Sequence, residues 1–476
     1  MFAADQRSSQ KMRRRSFRSE ALDRVAFRLV VFALLSVCAV SPSFARAQNH
    51  AQQPPPSSER AEALIAQGRA EAAAGKFPDA IASYQESLRL APRNLQAEIA
   101  VAQAYRGVRN FDEAKRILEQ AHREHSRSAA PLAALGDLDI QLQTYDAAIA
   151  HLNAALALDP ADVDACNRLA VAYKAKGDAT SALAQIAKIL ARDPKNALAH
   201  YTRADIYSDQ NQDALALADV EKVVELQPEN PLGRTLLAKI LVRPPETPAP
   251  GEIKERCARA VDALAPLAQS ASPSQPPPDS ETLFLLSRAY RCAGQDDQAQ
   301  EALAAFEKSS QGDRTTNENK IQAKHLVQQA DELAMKNDFA GSLDLLNQAI
   351  ALDPTYAATY SQLAKLYYSA GEIAKASDAI TQALAREPYH PEYLYVQGKI
   401  LEKQSELDGA LAAFQQSTLV NPKESDAFFE MGAIYQRRGD RLKALAAYQK
   451  ALELSPDDPD YKRALASLNR NQSPTP

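Results

Sequence analysis

Apolar residues along this chain occur in short blocks with steps of three and four, and the blocks recur every 34 residues. Steps of three and four place side chains on one face of an α-helix, whereas a half-buried strand would alternate. Prolines mark the same interval in two runs, the first with one position missing: Pro92, Pro160, Pro194 and Pro228, then Pro354, Pro388, Pro422 and Pro456. A helical pattern with this period predicts an array of helical repeats.

Within each unit, numbered so that the proline stands at position 32, the pattern defines two helices. Apolar or small residues recur at positions 4, 7, 8 and 11, and then at positions 20, 24 and 27. Between the two sets, position 15 is glycine in five units: Gly75, Gly177, Gly294, Gly371 and Gly439. Glycine accepts the positive φ of a helix C-terminus, and proline cannot continue a helix. Each unit is therefore predicted to be helix A, a tight turn and helix B.

One unit shows the full pattern, and it resembles the tetratricopeptide repeat family at that family's signature positions. The residues that carry the resemblance are Leu363, Ala364, Tyr367, Gly371, Ala376, Ala383 and Pro388. The similarity extends over nearly all of residues 61–458, although the tryptophan frequent at position 4 is absent. It implies an all-α, right-handed superhelical solenoid that serves as a recognition scaffold.

The repeats predict two arrays joined by a hinge. Array one is 61–268 with six units, the last degenerate; 269–279 is a Pro-rich hinge; array two is 280–458 with five units; and 459–476 is a capping helix with a disordered tail. The alternative is one continuous superhelix with bulging loops.

The N-terminus predicts export. Residues 1–47 combine a basic start, an apolar run from Leu29 to Val40, and small residues at Ala45 and Ala47, the parts of a cleavable secretory signal. Residues 48–60 then form a Pro/Gln spacer. We expect a periplasmic or secreted protein; the alternative is an uncleaved anchor in the inner membrane that leaves the repeats facing the periplasm.

Charge excludes one class of partner. The chain has a net charge of −5, but residues 1–47 carry nine Lys and Arg against three Asp and Glu, so the remainder has a net charge of −11. An acidic protein lacks the clustered cations that phosphate backbones require, so we expect no nucleic-acid partner.

Candidate chemistry is sparse. Once the repeats are assigned, no segment of the size of an enzyme domain remains, and we expect no catalytic residue and no cofactor. His122 and His125 share a helix face at a spacing that suits a metal. Nothing near them in sequence completes such a site, so a solvated surface and no metal are predicted.

Three cysteines remain after the signal. Cys166 stands at position 4 of unit four, a core position, and is predicted to be a buried thiol. Cys257 lies near the start of helix B in unit six, and Cys292 near the end of helix A in unit seven. These ends are neighbours in stacked helices, so an oxidising compartment favours a disulfide between them. The alternative is two unpaired thiols held apart by the linker.

The family resemblance also implies where a partner binds, since positions 2, 5, 9 and 12 of helix A line a concave groove. In array two, the candidate partner-binding residues are Lys365, Tyr368, Tyr395, Lys399, Phe429 and Gln436. Aromatic residues with flanking lysines suit capture of an extended peptide or a partner helix. The alternative is that these aromatic side chains only pack between repeats.

These observations together predict a non-catalytic protein-interaction scaffold in the bacterial cell envelope, used in the assembly of an envelope complex. Two alternatives remain. One is a secretion or polysaccharide-export accessory that binds glycan, and the other is a regulatory subunit of a separate catalytic chain.

Overall fold

The computed structural model describes residues 57–245, 247, 249–269 and 278–470. The predicted signal peptide, most of the spacer, the centre of the hinge and the tail from 471 lie outside the described residues. The described part forms 22 helices and no strand. From Ser57 onward, the chain is one compact unit.

The helices of array one are α1 (Ser57–Ala73), α2 (Phe77–Leu90), α3 (Leu95–Gly107), α4 (Phe111–Glu124), α5 (Ala130–Gln141), α6 (Tyr145–Leu158), α7 (Val163–Lys176), α8 (Ala179–Arg192), α9 (Ala197–Asp209), α10 (Asp213–Leu226), α11 (Pro231–Leu241) and α12 (Glu252–Gln269). Those of array two are α13 (Ser280–Ala293), α14 (Asp296–Met335), α15 (Phe339–Leu352), α16 (Ala357–Ser369), α17 (Ile373–Arg386), α18 (Pro391–Lys403), α19 (Leu407–Val420), α20 (Ser425–Arg437), α21 (Arg441–Leu454) and α22 (Pro459–Arg470). No described helix combines the length and apolar character needed to cross a bilayer.

Each helix packs on the next, and each pair packs on the following pair. The prediction of an all-α solenoid is therefore confirmed, while the count of eleven units stays a prediction. Helix α1 begins at Ser57, inside the predicted spacer. Helix α22 buries Tyr461 and Leu468 at the end of the array.

The core lies between the two helices of each unit. Position 20 is at most 1 % exposed in eight units: Ala80, Ala148, Ala182, Ala216, Ser342, Ala376, Ala410 and Ala444. The bulky residue at position 24 is at most 2 % exposed: Tyr84, Leu152, Ile186, Val220, Leu346, Ile380, Phe414 and Tyr448. The periodic residues identified in the sequence are thus the buried ones.

A small residue at position 8 lets helix A approach helix B closely. A Cβ built on Gly398 would lie 2.5 Å from the Phe414 ring, and one on Gly432 would lie 2.6 Å from the ring of Tyr448. Real Cβ atoms do not come this close to a neighbour, so position 24 of helix B occupies the space that a side chain at position 8 would need.

Position 15 takes the left-handed conformation whether or not it is glycine. The five glycines there have φ between 74° and 88°, and the equivalent residues Arg109, Gln143, Asn211, Asn337 and Ser405 have φ between 57° and 66°. The amide that follows donates back to the position-11 carbonyl, as from Asp178 to Tyr173 at 2.9 Å. Because the turn satisfies these end carbonyls, the unit imposes the conformation on any residue placed there.

Helix α14 departs from the predicted alternation of helix, turn and helix. It continues for 40 residues through helix B of unit seven, the polar stretch after it and helix A of unit eight. Unit seven has Gln311 at position 32, where a proline ends helix B in other units. Residues 311–318 are exposed, and among the described residues a hydrogen bond from Ser280 to Asp313 is the contact that this stretch makes with another helix. Gly312 weakens the helix by only about 1 kcal/mol, and without a proline the helix continues.

We predict that Gly398→Ala destabilises the protein by about 1–3 kcal/mol, because the added methyl overpacks against Phe414. Gly409→Ala is the matched control. Gly409 is also helical, but a Cβ built on it would come no closer than 3.4 Å to Leu401, which is an ordinary van der Waals contact. That variant should be neutral or stabilised by about 0.5–1 kcal/mol through helix propensity. Urea unfolding followed by circular dichroism measures both, and equal effects would contradict the packing argument.

Candidate partner-binding groove

The first helices of successive units face one another along the inner side of the solenoid. Helices α1, α3, α5, α7, α9, α11 and α13 each contact the next in that series, and α14, α16 and α18 do the same. Among the described residues, the second helices of successive units do not pack on one another in this way. In a curved array the inner helices lie closer together, so the first helices line the concave surface.

Ion pairs link neighbouring first helices across this surface. Arg106 Nη1 lies 2.8 Å from Asp137 Oδ2, and Lys399 Nζ lies 2.5 Å from Glu430 Oε1. Further pairs join Lys174 to Asp205, Lys365 to Glu392 and Arg437 to Glu402. The side chains of these pairs are 14–51 % exposed, so solvent screens the pairs only in part and their charges remain in reach of a partner.

Both predicted lysines belong to these pairs. Lys365 contacts Glu392 on the next first helix. Lys399 lies between Glu430 and Glu402. Burial is the largest single influence on the pKa of Lys399 and lowers it, but the hydrogen bond to Glu430 and the negative charges of Glu430 and Glu402 together raise the pKa overall. Lys399 therefore stays charged, and its charge is balanced by protein carboxylates.

The predicted tyrosines are half-buried on α16 and α18. Burial raises the pKa of Tyr368, an effect that nearby Lys399 opposes. Burial also raises the pKa of Tyr395, with Glu430 adding to the shift, and its ring lies 5.6 Å from that of Phe414. Both hydroxyls are neutral at physiological pH, so each tyrosine offers a partly exposed ring with an uncharged polar tip.

Phe429 lies where the capping helix packs, whereas Gln436 contacts α21 of its own unit. The Phe429 ring stacks on Tyr461 of α22 at a centroid distance of 4.9 Å. Gln436 accepts a hydrogen bond of 2.8 Å from the hydroxyl of Tyr448. The Phe429 ring is thus packed against the end of the array, Gln436 stays exposed, and the partner-binding assignment as a whole stays a prediction.

Array one and the first unit of array two carry exposed apolar residues at groove positions that the sequence reasoning did not single out. Leu198 and Leu232 stand at position 2 of adjacent units and are 50 % and 61 % exposed. Phe284 stands at position 5 of unit seven and is 40 % exposed. The position numbering used for the groove of array two, applied to these units, would have identified them in the sequence. These three residues extend the candidate groove into the middle of the solenoid.

The solenoid also closes on itself. The turns of units one and two contact the loop that follows α17 and the last turn of α19, far along the chain. Asn110 Nδ2 donates a hydrogen bond of 2.8 Å to the carbonyl of Leu419, and the Tyr389 hydroxyl donates to the carbonyl of Gly75. The rings of Tyr389 and Phe77 meet edge to face at 5.8 Å. This seam fixes the curvature of the groove between its ends.

The cysteines lie as the stacking of units six and seven requires. Cys257 on α12 and Cys292 on α13 are joined as a disulfide, with their Cα atoms 5.7 Å apart. Cys166 is a free, buried thiol whose pKa is raised by burial. Whether the disulfide forms in the cell depends on the compartment, so the pairing remains a prediction.

We predict that the chain recovered from the envelope begins at Gln48 and carries the Cys257–Cys292 disulfide, with Cys166 reduced. Non-reducing peptide mapping by mass spectrometry measures all three features. The matched control is the chain without residues 1–47 expressed in the cytoplasm, in which all three thiols should be free. Reducing the exported chain should lower its stability by about 2–4 kcal/mol. Free Cys257 and Cys292 in the exported chain would contradict the disulfide.

Comparisons with known proteins agree with this geometry. Four family models, each described as tetratricopeptide repeat, match residues 61–94, 99–163, 139–206, 197–230, 333–400 and 425–458. Together these segments span more than half of the chain. A search of curated proteins found no significant match.

Solved structures give weaker similarity. MamA is 22 % identical over 34 % of this chain and 95 % of its own, with a TM-score of 0.31. YrrB, titled a TPR protein with an unusual peptide-binding site, is 24 % identical over 37 % and 90 %, with a TM-score of 0.31. The Cut9-Hcn1 complex is 13 % identical over 86 % and 97 %, with a TM-score of 0.30. Such scores carry no argument, and the assignment rests on the family models and the repeat geometry: the chain belongs to the tetratricopeptide repeat family.

Proposed function

We propose that the protein is a non-catalytic interaction scaffold, exported into the cell envelope, that holds a peptide or helix of another protein in its concave groove. The observation that carries this proposal is the exposure of apolar side chains at groove positions among self-paired charges. The family to which the chain belongs is typically used for protein recognition, and its repeats supply a surface rather than a reaction centre.

The chemistry of the groove favours a peptide with apolar anchors. Leu198 and Leu232 lie at equivalent positions on adjacent first helices, so they offer two neighbouring apolar contacts. The nearby carboxylates and lysines are paired with each other, which leaves the apolar residues as the main source of binding energy. Fully burying an exposed leucine contributes about 1.5–3 kcal/mol, part of which offsets the free-energy cost of association, so binding requires several such anchors together.

The envelope location and the role in assembling an envelope complex rest on the signal-like N-terminus and the acidic remainder of the chain. The glycan alternative requires open aromatic faces for sugars, whereas Tyr368 and Tyr395 are half-buried. The regulatory alternative differs only in the identity of the partner, which would be a catalytic chain.

We predict that a photo-crosslinking amino acid placed at Leu198, Leu232 or Tyr368 in the exported chain captures the same partner protein. Leu442 is the matched control position, because it is an 80 % exposed leucine on a second helix, away from the groove. Mass spectrometry of the crosslinked peptides identifies the partner. The double variant Leu198→Ser and Leu232→Ser should weaken capture from Tyr368 at least about tenfold through the loss of apolar burial.

Three outcomes distinguish the alternatives. Capture at Leu442 equal to that at the groove positions would contradict the groove. Capture of no protein together with retention of a polysaccharide on the immobilised chain would favour the glycan alternative. Capture of one enzyme from all three groove positions would favour the regulatory alternative. Crosslinking from Tyr368 is also repeated in the variants Tyr395→Ala and Phe429→Ala. Weaker capture of the partner in either variant would support a role of that aromatic residue in binding.

A further inference from the structure

A cluster outside the groove combines an imidazole with two carboxylates. Glu98 lies near the start of α3, Glu124 ends α4, and His125 follows it as the C-cap residue. One ligand atom from each of the three lies within 4.8 Å of the others. Of the two histidines noted in the sequence, only His125 joins this cluster, and the residue that completes it comes from the partner helix of the same unit.

The cluster contains polar atoms that the protein leaves unsatisfied. Glu98 is only 8 % exposed, and its Oε2 is buried without a hydrogen-bond partner. His125 Nε2 is also buried without a hydrogen bond, and it forms an ion pair with that oxygen at 3.2 Å. Burial raises the pKa of Glu98, which nearby His125 opposes and Glu124 reinforces. A buried carboxylate oxygen without a hydrogen bond costs about 1–3 kcal/mol or more. A further ligand at this place would recover that free energy.

The spacing of these atoms is that of two ligands on one metal ion. Zinc binds imidazole nitrogen and carboxylate oxygen at about 2.0–2.2 Å, and tetrahedral ligands at that distance lie about 3.3–3.5 Å apart. The separation of 3.2 Å between His125 Nε2 and Glu98 Oε2 is close to this value. A cation between them would satisfy both atoms at once.

Access and charge also fit. A cleft of about 560 Å³ lined by Glu124, His125 and residues 126–128 reaches two of the three side chains from solvent, while Glu98 does not line it. Glu124 accepts a hydrogen bond from Gln120 through Oε1, and its Oε2 lies 4.0 Å from Arg93 Nε. Two cations oppose a metal here: Arg127 lines the same cleft, and Arg93 lies beside Glu124 with its side chain 82 % exposed and free to leave.

We propose that Glu98, Glu124 and His125 bind one zinc ion, with water completing the coordination, and that the ion clasps the two helices of unit two. A mixed nitrogen and oxygen set favours zinc over calcium, which takes oxygen ligands. The clasp joins the start of α3 to the end of α4.

The test is isothermal titration of the purified exported chain with Zn²⁺, supported by the shift in Tm. Wild type should bind one zinc ion, and Glu98→Gln and His125→Ala should each weaken that binding by at least about tenfold. The matched control is His122→Ala, because His122 lies on the same helix and also has an unpartnered buried Nδ1, yet lies outside the cluster. That variant should bind zinc as wild type does.

A second variant separates a metal site from a simple ion pair. Arg93→Ala removes the competing cation beside Glu124 and should tighten zinc binding several-fold, an effect that no structural role of Arg93 predicts. Calcium at the same concentration should give no heat. Equal zinc affinity in wild type and a folded Glu98→Gln, an equal loss in His122→Ala, or an equal response to calcium would each overturn the proposal. If Glu98→Gln is unfolded by circular dichroism, the surface variant Glu124→Gln decides in its place.

Discussion

The contact between position 8 of helix A and position 24 of helix B is the one on which the solenoid depends. Gly136 against Leu152 and Gly398 against Phe414 show the same arrangement in distant units. A helix of 13 or 14 residues is marginal alone, so each must gain its stability from a neighbour. The small residue removes the one side chain that would hold the two helices apart, and the bulky residue fills the space left.

The curvature of the groove follows from this contact. Helices within a unit approach closely, and the first helices of successive units then converge on the inner side. Charged residues on those first helices, such as Lys399 and Glu430, meet across units because the inner surface brings them together. The seam between Tyr389 and the turn at Gly75 closes the array, so contacts remote in sequence also limit how far the groove can open.

Some buried positions of the units are occupied by polar residues instead of apolar ones. Ser87 donates to the carbonyl of Ala61 and Ser417 to that of Pro391, which replaces an apolar contact with a hydrogen bond at position 27. Glu98 Oε2 has no such hydrogen bond and lies 3.2 Å from His125 Nε2. A buried polar group is usually hydrogen-bonded within the protein, so this pair is the basis for the proposed zinc site.

The sequence by itself determined the helices, the turns and the core, because position 32 proline, position 15 glycine and the apolar steps are local signals with local causes. It located the groove positions through the family numbering, but not which groove side chains are covered: Phe429 stacks under Tyr461 of the capping helix, which only the packed structure reveals. The continuous helix α14 was missed because the absence of a proline at Gln311 is a weaker signal than its presence. The seam and the Glu98–His125 pair were decided by tertiary structure alone. Both join residues whose side chains meet only after the solenoid has curved or its helices have paired. The periodicity of the sequence describes single helices and does not predict such contacts.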